Sequence, residues 1–213
     1  MQAYMKSAMP YRGVAAPQQD RLFRHLFAEH RLDGIDSWRS TVLALWRGAG
    51  YREERYAAIA ISGHRLYREH QIPASMVIYD EFVVGGAWWD YVDAVAIRLI
   101  GPLVSAYPGE LRPLMIGWST DADLWRRRSS IICQVGAKGA ADLDLLYACI
   151  EANLDDRDFF IRKAIGWGLR QYAWTDPDEV ERYVTAQADR LSGLSRREAL
   201  KNITRIRRAR TAK

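Results

Sequence analysis

Four stretches decide how this chain reads: WWDYVDAVAI at 88–97, DLWRRRSSII at 123–132, DFFIRKAIGW at 158–167 and GLSRREALKN at 193–202. Each begins 35 residues after the one before, and each sets aromatic or polar residues first, then a charge, then small and apolar residues. The charges at the shared position are Asp93, Arg128, Lys163 and Glu198. YREERYAAIAI at 51–61, with Arg55, is an earlier and looser copy. Apolar residues recur at i, i+3, i+4 and i+7 throughout, so a period of 35 specifies two helices per unit. A single such unit cannot bury its apolar face alone and must stack on the next. The expected fold is therefore all-α, a solenoid of tandem helical repeats, in which equivalent side chains form a row along one concave surface.

Read outward from those stretches, the periodicity predicts helices over 17–31, 36–48, 51–70, 74–84, 88–106, 109–119, 123–136, 142–153, 158–174, 177–191 and 195–209. Pro17, Pro108 and Pro177 fall near helix starts, where a missing N–H costs nothing. No strand is predicted. The repeat runs across the chain, so residues 1–213 are expected to form one domain, with a basic end from about residue 195.

Composition narrows the function classes. With 49% hydrophobic residues in 213, the chain can bury a continuous core, and an ordered domain is expected. No stretch approaches the roughly 18 apolar residues of a membrane span, and the N-terminus lacks a secretory apolar run, so a cytoplasmic protein is expected, nucleoid-associated if bacterial. Cys133 and Cys149 have no CxxC spacing and read as buried small hydrophobes. His25, His30, His64 and His70 show no i, i+4 pairing, so no metal site is expected, and no cofactor. The net charge of +5 is unevenly placed. Residues 195–213 hold eight cations against Glu198 alone, a local +7 that leaves −2 for the rest. Such an end suits a polyanion partner, and equally a solvated helix tail.

Within the row, Asp93 stands where the next two repeats carry Arg128 and Lys163. Trp89 lies one turn before it, so indole and carboxylate share a face, while Trp88, Val92, Val95 and Leu99 form the adjacent stripe suited to the core. An aromatic wall, a carboxylate and flanking cations can hold phosphates and stabilise a developing positive charge. Cleavage of an N-glycosidic bond makes that demand, because its transition state resembles an oxocarbenium ion. A departing base that is already cationic, such as an N-alkylated purine, needs no general acid, so one carboxylate suffices. Two other readings stand beside this one. Asp93 could bridge neighbouring repeats of a protein-interaction scaffold, or the row could belong to a non-catalytic module that binds DNA structures or damaged DNA.

The stretches YMKSAMPYRGV, WWDYVDAVA, LWRRRSSII, FFIRKAIGWGLRQYA and LSRREALKN, in this order over essentially the whole chain, closely resemble the AlkD-type DNA alkylation repair family of HEAT-like-repeat DNA glycosylases. WWDxVD together with the FFIxKAIGWxLR run is specific; the apolar spacing between them is generic. The resemblance implies hydrolytic excision of N3- and N7-alkylated purines, of the 3-methyladenine and 7-methylguanine type, from double-stranded DNA without flipping the base, with no obligate protein partner. It assigns Trp89 and Asp93 as the catalytic pair and Arg128 as their partner from the next repeat. It places Trp167 and Tyr4 at or near the lesion; Lys163, which the register sets in the row, and Arg170 and Arg197 are expected as further DNA contacts. Trp89 and Trp167 would offer π faces to the cationic nucleoside, and Arg128 would contact phosphate and fix Asp93 in its ionised form. The family commonly has Gln where this chain has Ala15, so a DNA contact is expected to be lost there. The helix that precedes Y-M-K in longer relatives is expected to be absent.

Overall fold

A computed structural model describes residues 2–211. It divides into two compact units, Met1–Ile78 and Tyr79–Lys213. Lys213 of the basic end, and the side chain of Arg210, lie outside the described residues.

In the first unit, α1 (Gln2–Met5) leads to α2 (Ala16–Glu29), α3 (Gly34–Arg47) and α4 (Arg52–Ser62), with α4 packed on α3 and α2. Trp38, Val42, Trp46, Ala58, Ile59 and Tyr67 are buried there. The YRGV stretch is held by one buried carboxylate. Glu53 accepts hydrogen bonds from the backbone N–H groups of Arg12 (3.0 Å), Gly13 (3.0 Å) and Val14 (3.3 Å). Gly13 makes this possible at φ +80°, a left-handed conformation that suits a residue without Cβ.

The helix predicted over 51–70 is two pieces. α4 stops at Ser62, the chain turns through Gly63 and an extended His64, and a 3₁₀ segment follows over Arg65–His70. Apolar spacing continues across the break, so periodicity alone does not mark it, although Gly63 at the break is a residue type that ends helices. α5 (Met76–Gly86) follows another 3₁₀ turn at Pro73–Ser75.

The second unit carries the repeat. Its first helices are α6 (Trp89–Val95), α9 (Leu124–Ile132), α11 (Phe159–Tyr172) and α13 (Gly193–Leu200), with starts spaced by 35, 35 and 34 residues. Their partners are α8 (Pro108–Ser119), α10 (Leu143–Glu151), α12 (Pro177–Ala186) and α14 (Ile203–Thr211). First helices pack in series, α6 on α9, α9 on α11 and α11 on α13, while α8 packs on α10 and α12 on α14. This is the stacking of an α-solenoid. Among the described residues there is no strand, and no helix is long and apolar enough to cross a membrane.

The repeat starts where short polar side chains satisfy orphan N–H groups. Asp123 accepts from the N–H groups of Trp125 (2.8 Å) and Arg126 (3.0 Å), and Asp158 does the same for Phe160 (2.6 Å) and Ile161 (3.3 Å). Ser192 caps Ser195 at 3.0 Å. Below the caps, Val92, Val95, Leu99, Ile131, Ile132, Ile161, Ile165 and Leu169 fill the core, with Cys133 and Cys149 buried as free thiols.

Two departures from regular helix matter. The segment predicted as one helix over 195–209 breaks at Lys201 and Asn202, and α14 docks through buried Ile203 and Ile206. The basic end is thus a packed helix, at least in part. Arg207 pairs with Asp178 (2.5 Å) and Glu181 (2.6 Å), and Arg205 lies over the Trp174 ring at 5.7 Å. The second departure is a π-helical turn at Ala96–Ile100, between α6 and α7 (Gly101–Ala106), where the Gly101 N–H reaches back five residues to the Ala96 carbonyl. It precedes Pro102, which has no N–H to give, and it brings the backbone hard against the end of α9. A Cβ on Gly101 would stand 2.1 Å from the Cys133 carbonyl oxygen. In an open helix Gly→Ala is stabilising. Here Gly101→Ala should instead lower unfolding free energy by about 2 kcal/mol or more in urea titration; a more stable variant would contradict this account of the helix crossing.

Candidate functional site

The centre of the row is a buried ion pair. Arg128 of α9 donates through Nε to Asp93 Oδ1 at 2.7 Å and through Nη2 to Oδ2 at 2.8 Å, while its Nη1 donates to the Phe160 carbonyl at 2.6 Å. The two side chains are 6% and 14% exposed. The 35-residue offset therefore becomes a two-pronged bond between α6 and α9, with the third prong on α11. Of the two tasks expected of Arg128, this is the geometry of fixing Asp93; its guanidinium is committed on three nitrogens. Burial pushes the Asp93 carboxyl above its ordinary value and Asp90 adds to the shift, against the hydrogen bonds and charge of Arg128.

The turn before α6 explains how the two tryptophans separate. Ala87 ends α5 in the left-handed region at φ +42°, with its N–H on the Val83 carbonyl at 3.2 Å, and Trp88 follows in extended backbone at φ −152°. Trp88 is thus outside the helix and not part of its core stripe as expected. Its ring packs against Phe160 (5.5 Å between centroids) and Trp125 (6.2 Å), and those two are 5.1 Å apart. Its Nε1 is buried with no hydrogen-bond partner. Trp89, the first residue of α6, is half-buried one turn from Asp93. Beside this turn, Arg126 makes a second two-pronged bond, to Asp80 of α5 (2.8 and 2.7 Å), which ties α5 to α9.

The other expected contacts sort by position. Lys163, Trp167 and Arg170 share a face of α11; Lys163 pairs with Glu198 at 2.9 Å and Arg170 with the other oxygen of the same carboxylate. Trp167 is half-buried, and Arg197 is exposed on α13. Tyr4 is exposed on α1 of the first unit. The sequence reading does not single out Phe160, whose carbonyl and ring both serve the site. The available signal is that Trp125 and Phe160 are themselves 35 residues apart.

Stacked two-helix repeats with a carboxylate and guanidinium paired between them, next to a half-buried tryptophan, define a helical-repeat protein with a built charged site. The profile of the family described as DNA alkylation repair enzyme matches residues 1–203, and the chain belongs to that family. Its structure is similar to that of a "Predicted DNA alkylation repair enzyme from Enterococcus faecalis", with 30% sequence identity and a TM-score of 0.81 over 93% of this chain and 91% of that one. No curated protein sequence matches the chain.

Breaking the central pair should expose its energetics. Arg128→Gln leaves a buried carboxylate without its countercharge and should cost about 3 kcal/mol or more at neutral pH. Without Arg128 the folded-state pKa of Asp93 rises further above its unfolded value, so the penalty applies above that raised pKa. It should shrink as pH falls through it, because the buried acid then takes up a proton. Urea titrations of both proteins across the acid range would check this; a deficit that grows on acidification would contradict it.

Proposed function

We propose that this protein is a DNA glycosylase that excises N3- and N7-alkylated purines from double-stranded DNA, in the cytoplasm, without flipping the base. The observation that carries the reading is the Asp93 carboxylate, mostly buried and held at both oxygens by Arg128, one helical turn from the half-buried Trp89. Family membership supports action on alkylated DNA.

Physically, the reaction asks little of the protein beyond a fixed negative charge. The bond between sugar C1′ and the base nitrogen breaks, and its electron pair leaves with the base. A cationic alkylpurine departs neutral, so no proton need be supplied. The sugar is left as an oxocarbenium ion, and a water adds to C1′ and releases a proton. Asp93 would stabilise the cation; each of its oxygens spends one lone pair on Arg128 and keeps another for the water. Trp89 would present its π face to the charge. Arg128 acts through Asp93 as a positioning residue. Lys163, Arg170 and Arg197 would hold backbone phosphates, with Trp167 between the first two.

The same pair also bridges α6 and α9, which is all that a purely structural role requires. The two roles separate in kinetics. Asp93→Asn keeps the shape of the side chain but not its charge, so single-turnover excision at saturating enzyme should fall about 10²-fold or more, with DNA binding nearly intact. Folded Asp93→Asn with the wild-type rate would leave only the bridge. The wild-type rate should also fall on the acid side as Asp93 protonates, at a pH above the ordinary aspartate range because burial raises its pKa. After subtraction of spontaneous acid depurination, a profile flat down to that ordinary range would contradict the role of Asp93.

A further inference from the structure

The second ion-pair cluster on the row differs from the first in where its charges stand. Glu198 is 15% exposed, Lys163 38% and Arg170 22%, so the carboxylate lies beneath and the cations at the rim. Glu198 reaches this position because α11 and α13 cross at Gly166. A Cβ there would stand 2.5 Å from the Glu198 Cβ and 2.8 Å from the Ser195 carbonyl oxygen. That close crossing lets one carboxylate serve Lys163, one turn before Gly166, and Arg170, one turn after it. The hydrogen bond from Lys163 holds Glu198 below the usual carboxylate value, with Arg170 and Lys201 adding their charge. The cluster of two cations and one carboxylate carries a net single positive charge, on the face of α11 that also presents Trp167.

We propose that Glu198 sets the affinity of this face for DNA: in the free protein it occupies Lys163 and Arg170, and a backbone phosphate must compete with it for them. The inference rests on the reading of α11 as part of a DNA-binding face. Its chemical logic is that a repair protein meets undamaged duplex in great excess, and each phosphate contact left fully available strengthens the sequence-independent grip. An internal anion in contact with both cations weakens that grip without removing the cations themselves. A brace between α11 and α13 would use the same bonds but would not respond to salt as a competitor does.

Binding of the full chain to an undamaged duplex, followed by fluorescence anisotropy across a salt series, separates these. Glu198→Gln should tighten binding roughly fivefold at about 0.1 M salt and steepen the log-log salt slope by roughly 0.9, the increment of one phosphate contact. Adding Lys163→Gln to it should return the slope to the wild-type value, since the net charge of the cluster is restored. If Glu198→Gln melts below the assay temperature, Glu198→Met, which keeps the side-chain length over Gly166 without a polar end, is measured in its place. A folded variant with unchanged or weaker affinity and an unchanged slope overturns the proposal and leaves Glu198 as a brace. Wild-type protein that does not bind duplex at all overturns the DNA-binding reading together with it.

Discussion

The structure of the second unit turns on the bond between Asp93 and Arg128. Withdrawing two charges from water costs several kcal/mol per ion, and only a well-aligned, fully hydrogen-bonded pair recovers it. The surroundings meet that demand. Both carboxylate oxygens face guanidinium nitrogens, and the remaining terminal nitrogen is satisfied by the Phe160 carbonyl. Three consecutive first helices of the solenoid are thereby pinned at one height. The Ala87 turn, the cap of Asp123 and the aromatic packing of Trp88, Trp125 and Phe160 all fix where α6 and α9 meet. A carboxylate fixed in this way is preorganised, so it pays little reorganisation if a positive charge develops next to it.

The same register gives a different result two repeats on. Asp93 and Arg128 close on each other and are nearly sealed, whereas Lys163 and Arg170 share one deeper carboxylate and remain at the rim. One pair suits a fixed charge at a reacting centre, and the other suits cations that can exchange partners. A solenoid allows this division because each repeat contacts only its neighbours, so a charge reversed at one position is answered locally.

Much of this was legible in the sequence, for identifiable reasons. The 35-residue spacing survives as helix starts because Asp123, Asp158 and Ser192 are caps, a role that depends on residue type and position. The contact of Asp93 with Arg128 was legible for the same reason, since equivalent positions of stacked repeats are neighbours. Other features leave little trace. Ala87 adopts a left-handed conformation that glycine or asparagine would advertise and alanine does not, so the exit of Trp88 from the helix was hidden. The break after Ser62 and the one at Lys201 and Asn202 interrupt apolar patterns that run on in register, and their marks, Gly63 and Asn202, are outweighed by that periodicity. That Glu198 serves two cations depends on the closeness of α11 and α13 at Gly166, a property of the helix crossing that only coordinates reveal.

The central claim is that the charge of Asp93 serves the breaking of a glycosidic bond and not only the joining of two repeats. It is tested most directly by product analysis: duplex DNA methylated with a radiolabelled alkylating agent, incubated with excess purified wild-type protein, and the released material resolved by chromatography. The account predicts free 3-methyladenine and 7-methylguanine, with matching abasic sites left in the duplex. Intact methylated DNA, with no free purine above the spontaneous background, would contradict it.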